Sequence, residues 1–247
     1  MASRPSTEAT SPPPEDEGYL AWSRDPAVSL LAVLPLWLVY EALRFSLAPG
    51  DRNGAEALVT DSLMLLGPHA VRVLKVVLAL CVLGAGVRVL RGDLPWLSVG
   101  GVAVLEGAVY GLMLGPVTQA LTFYVLEGRA RGAGLRADLI GSLGAGLFEE
   151  AVFRLGLLSL LSLGFVRAAA AFGLPRLLGV IGAVLVSALA FSWFHHVGAG
   201  GEPYDVRIFA FRAVAGVVLG GLFVLRGFAV VVYAHAVYDL HFYLSQS

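Results

Sequence analysis

The chain has 247 residues, 57% hydrophobic and only 14% charged, with a formal net charge of −1 and a mean hydropathy of +0.79. A soluble domain carries about 25% charged residues, so an ordinary soluble globule is excluded and most of the chain belongs in lipid. With no basic stripe and no stacking platform, nothing points to a nucleic-acid partner, and the single cysteine, Cys81, cannot form an internal disulfide.

Residues 1–17, "MASRPSTEATSPPPEDE", are rich in Pro, Ser and acids. They hold too little apolar surface to fold and lack the basic start and apolar core of a signal peptide. A disordered tail is expected over 1–24, with the first span acting as its own insertion signal. A helix needs about 20 mainly apolar residues to cross the hydrocarbon core. Candidate spans follow at 27–47, 70–90, 97–126, 138–164, 176–196, 206–225 and 227–244. The expected fold is therefore all-α, a polytopic transmembrane helix bundle of about seven spans. N-terminal transmembrane helices fill 25–136 and a C-terminal core fills 137–247. The links, such as "APGDRNGAE", "EGRARGAGLRAD" and "GAGGEPYD", are rich in Gly, Pro, Arg and Asp. Gly107, Gly111 and Gly115, and again Gly216 and Gly220, recur every four residues, a spacing that lets membrane helices approach closely.

A charge at the bilayer centre costs about 2.5–3.5 kcal/mol on insertion scales and points to function. The fourth span carries three, in "GLFEEAVFRL". Glu150 and Arg154 are four apart and share a helical face, with the acid N-terminal, the better order. Glu149 is rotated by about 100° and needs its own partner: a histidine, a metal or water. A lock between helices is the plainer use of such charges, but an additional acid makes a poor lock. The fifth span ends in "AFSWFHHVG", where His195 and His196 point about 100° apart, so one of them at most faces a common site. The last span holds "YAHAVYDLHF", with His235 and Asp239 on one face. A carboxylate beside an imidazole fixes its tautomer and aims its other nitrogen. Alternating span directions bring Glu149, His195 and His235 into the same half of the bilayer, with His195 the shallowest unless its helix dips, tilts or ends below the surface.

These residues resemble a known family. "EEAVFR" resembles the EExxxR motif of the CPBP family, the CAAX-processing and bacteriocin-processing proteins also called the ABI family. "FSWFH" resembles its FxxxH motif, and "HAVYD" its HxxxN or HxxxD motif. The resemblance covers about residues 137–244 and takes in type II CAAX prenyl endopeptidases. It implies an intramembrane peptidase with a catalytic core over 137–247 and the site residues Glu149, Glu150, Arg154, His195, His235 and Asp239. Carried over by position, Glu149 with His195 activates a water, His235 and residue 239 stabilise the oxyanion, and Arg154 holds Glu150. The family is described both as metal-dependent and as a metal-free glutamate type. The cofactor is therefore either zinc, held by Glu149, His195 and His235, or none. Two histidines and a carboxylate suit zinc, although the HExxH of soluble zinc proteases is absent. Asp239 replaces the more frequent asparagine, and an ionised aspartate cannot donate to an oxyanion. Its expected role is to orient His235 or help bind a metal.

The implied partners are the lipid bilayer and a membrane-associated protein or peptide substrate, such as a C-terminal sorting signal or a leader peptide. The implied setting is a multi-pass protein of a bacterial inner membrane. Two rivals remain: a transporter using these charges as a relay, which predicts internal repeats that the sequence lacks, and a non-catalytic immunity or scaffold member of the same fold. Outside the motifs, Glu106 has no assigned partner and Arg212 is expected to snorkel or to pair with Asp205. His69, His196 and His241 are expected to be interfacial or structural.

Overall fold

In lipid, every backbone N–H and C=O must be paired within its own segment, so long apolar stretches become helices. The computed structural model describes residues 18–45, 54–92, 94–124, 135–197 and 201–245. The described residues form helices α1 (Tyr19–Trp22), α2 (Pro26–Arg44), α3 (Gly54–Met64), α4 (Ala70–Arg91) and α5 (Trp96–Thr122). They continue with α6 (Leu135–Gly144), two π-helical stretches (Ala145–Glu149 and Ala151–Leu158), α7 (Ser159–Ala171), α8 (Arg176–Phe194), α9 (Val206–Arg226) and α10 (Phe228–Leu244), with no strand among them. From α6 to α7 the chain is one helical span, Leu135–Ala171. Six spans are long and apolar enough to cross a membrane, and α10, with 17 residues, is the shorter seventh. The expected helical bundle is thus the observed one. Large apolar side chains such as Leu80, Leu83 and Leu90 on α4 are exposed, as lipid-facing positions must be.

The glycine seams position α10, the helix that carries His235 and Asp239. A Cβ added at Gly111 of α5 would lie 2.5 Å from the Ala234 carbonyl, and one at Gly107 would lie 2.7 Å from the Val230 carbonyl. On the other side, a Cβ at Gly146 would lie 2.7 Å from the Val232 carbonyl. α10 is therefore clamped, backbone to backbone, between α5 and the first π stretch. Gly216 packs in the same way on Ala188 of α8. A single residue, Gly227, separates α9 from α10; its φ of +92° strains any side chain there.

Two features depart from expectation. The "APGDRNGAE" link leads into a helix, α3, whose Glu56 is buried. Glu56 accepts a hydrogen bond from Tyr40 at 2.5 Å and pairs with Arg44 at 2.6 Å, which fastens α3 to the end of α2. Of the tail expected over 1–24, residues 1–17 lie outside the described residues, while the rest carries α1. Tyr19 donates to Glu106, which also takes both oxygens to Arg226 at 2.6 Å. Glu106 therefore ties α1 and the end of α9 to α5.

Candidate active site

The π stretches coincide with the acidic motif: Glu149 closes the first, Glu150 stands between them, and Arg154 lies in the second. A π turn holds more residues than an α turn, so successive side chains are separated by a smaller angle, and such bulges concentrate at functional sites. Regular α geometry would part Glu149 from Glu150 by about 100°; the widened turn lets both carboxylates reach one site. Gly146 gives this segment room against Val232 and Ala236 of α10.

Glu150 and Arg154 form the floor, with side chains 0% and 1% exposed and Nη1 2.9 Å from Oε1. The guanidinium also lies 4.3 Å over the Phe191 ring and donates to the Gly216 carbonyl at 3.4 Å. The Glu150–Arg154 pair is not self-contained, because His235 Nδ1 lies 2.6 Å from Glu150 Oε1. An ionised carboxylate only accepts, so Nδ1 carries a proton and donates. Glu150 is thus the carboxylate hydrogen-bonded to His235, while Asp239 Oδ2 faces the opposite nitrogen, Nε2, at 3.7 Å.

His195 is aimed in a parallel way. It caps α8, and its Nδ1 donates to the Phe191 carbonyl at 2.9 Å. Its Nε2 is thereby turned toward Glu149 Oε2, at 3.7 Å, while His235 Nε2 approaches the same oxygen at 3.9 Å. The three groups converge on one point. Phe191, the first residue of the FxxxH motif, wedges between them with ring centroids 4.9 Å from His195 and 5.9 Å from His235. Ser187 donates to the Phe153 carbonyl and Ser192 to the Phe209 carbonyl, tying α8 to the second π stretch and to α9. Exposure rises from the buried floor to His195 (23%) and Asp239 (22%), which marks the mouth. All six motif residues are thus brought together.

The donor types are those zinc favours. Among the described residues, however, no group of three or more His, Cys, Asp or Glu side chains is gathered at coordinating spacing.

Residues 135–241 match the family model for type II CAAX prenyl endopeptidase Rce1-like proteins. The matched stretch is similar to that family and runs from α6 into α10, so it holds all six site residues. No curated protein and no solved structure matches the chain.

At the mouth of the site, Arg212 pairs with Glu202 rather than Asp205. Asp205 is occupied as the N-cap of α9, accepting from the N–H groups of Arg207 and Ile208. His196 packs on Tyr204 and donates from Nδ1 to the Glu202 carbonyl, the structural place expected of it. The Arg212 hydrogen bonds hold the Glu202 carboxyl below the usual carboxylate range. A carboxyl with a depressed folded pKa stabilises above its unfolded pKa and loses that contribution as pH falls through the folded value. Glu202→Gln should therefore lower the unfolding midpoint in detergent near neutral pH, and the gap to wild type should close below the carboxylate range. A gap that is independent of pH would show that the charge of Glu202 is irrelevant.

Proposed function

We propose that the chain is an intramembrane endopeptidase in which Glu149 activates a water against a peptide carbonyl. The observation that carries this reading is the convergence of His195 Nε2 and His235 Nε2 on Glu149 Oε2. Separations of 3.7 and 3.9 Å are too long for direct hydrogen bonds and suit one shared water. Glu149 takes a proton from this water, while the Nε2 lone pair of neutral His195 accepts the other and holds the oxygen in place. The water oxygen bonds to the scissile carbonyl carbon. The developing oxyanion is stabilised by His235 as an imidazolium, with Nδ1–H anchored on Glu150 and Nε2–H aimed into the site. Glu149 then passes its proton to the leaving amine as the C–N bond breaks.

The substrate class is a membrane-associated protein or peptide: a prenylated C-terminal motif, a C-terminal sorting signal or a leader peptide. A bacterial inner membrane is the proposed setting. Comparing the termini of membrane proteins in cells with and without this chain tests the reading. Specific termini should stay uncut when it is removed, whereas a transporter or a non-catalytic scaffold leaves all termini unchanged.

A metal-free water mechanism has its own expected result. Treating the purified protein with a strong chelator should leave kcat within about twofold of the untreated value, since no barrier term is lost. Loss of activity that zinc restores would instead make Glu149, His195 and His235 metal ligands.

A further inference from the structure

Arg212 stands outside the motifs, yet it lies about two turns inside α9, where a charge calls for a function. Its guanidinium grips both oxygens of Glu202 in a fork, Nη1 to Oε2 and Nη2 to Oε1, at 2.9 Å each. The pair sits on the site itself. The Glu202 N–H donates to the carbonyl of His195 at 2.9 Å. The two partners differ in exposure: the Arg212 side chain is 16% exposed and that of Glu202 is 44%. The cation is part of the wall, and the carboxylate is the half of the pair that can swing out. A two-point grip of this kind is how a guanidinium recognises a carboxylate, and lysine does not reproduce it.

We propose that Arg212 is the receptor for a carboxylate of the substrate, and that Glu202 is an internal stand-in which the substrate displaces. The proposal deepens the peptidase reading and rests on it. It makes Arg212 a specificity-determining residue: peptides bearing a carboxylate close to the scissile bond are preferred over neutral ones. A free chain terminus and an acidic side chain offer the same chemistry.

The test uses the full chain in detergent carrying Glu149→Gln, so that binding is read without turnover. Three farnesylated tetrapeptides serve as probes: the free acid, its C-terminal amide, and an amide with glutamate in the last position. The free acid should bind about tenfold more tightly than the neutral amide, as expected for one charge-assisted contact. Adding Arg212→Gln should abolish that preference, and adding Glu202→Gln should enlarge it by removing the competitor. If the glutamate-bearing amide binds like the free acid, the receptor also takes side-chain carboxylates. Equal binding of acid and neutral amide, no binding of any probe, or a preference that survives Arg212→Gln overturns the proposal. So does a uniform loss for all three peptides with a lowered unfolding midpoint, the signature of a mere loop staple. Acid preference in binding, combined with no cleavage by the unsubstituted chain, would count against the peptidase reading and leave the receptor standing.

Discussion

Glu149→Gln is expected to lower kcat by about 10²–10⁴-fold, the usual contribution of a positioned general base, while the protein still inserts and folds. Glutamine keeps the shape of the side chain and its packing in the π stretch, but it cannot take a proton from water. Because the glutamate is required for proton transfer and not for substrate contact, KM should change little. His195→Ala and His235→Ala should be similarly severe, since each removes one of the two nitrogens that face Oε2 of Glu149. Unfolding midpoints in detergent would separate loss of chemistry from loss of fold. A Glu149→Gln protein that turns over at near wild-type rate would remove Glu149 from the role of base.

Arg154→Ala is expected to act on stability first. Arg154 and Glu150 are essentially inaccessible, and removing one partner of a buried ion pair costs about 3–5 kcal/mol because the other charge is left alone. The guanidinium also supports the Phe191 ring and reaches the Gly216 carbonyl, so its loss loosens the contact of the second π stretch with both α8 and α9. Activity should fall as well, because Glu150 would no longer be fixed where His235 Nδ1 needs it. A double-mutant cycle separates the two contributions: Glu150→Gln combined with Arg154→Ala should cost less stability than the two single losses added, since the carboxylate that Arg154→Ala strands is gone. Wild-type stability with abolished activity in Arg154→Ala would make Arg154 a catalytic residue.

Much of this was legible in the sequence, for reasons that can be traced to particular residues. The spans were visible because lipid demands long apolar helices, and the Glu150–Arg154 pair because a four-residue spacing survives even in a widened turn. The motif order placed His195 and His235 on returning helices. What stayed hidden depends on through-space contacts or irregular backbone. Nothing in "GLFEEAVFRL" marks a π stretch, so Glu149 was set apart from Glu150 by regular α geometry. The second partner of Glu150 lies 85 positions away on α10, and the nearer Asp239 stood in for it by spacing alone. The link "APGDRNGAE" hides the start of α3 because nothing local marks Glu56 as buried; its burial depends on Tyr40 and Arg44 of α2. For Arg212 the spacing offers snorkelling or a pair with Asp205, the nearer acid, although an aspartate just before a helix is a natural N-cap, which leaves Glu202 as the partner.

We propose that Glu149 drives water onto a peptide carbonyl inside the membrane. The most direct measurement is mass spectrometry of cleavage products formed by the purified chain in water enriched in oxygen-18, with a farnesylated CAAX peptide as substrate. One heavy oxygen should appear in the new carboxyl group during a single turnover, and product formation should be lost in Glu149→Gln. Absence of cleavage by the wild-type chain, or labelled product formed equally well by Glu149→Gln, would contradict it.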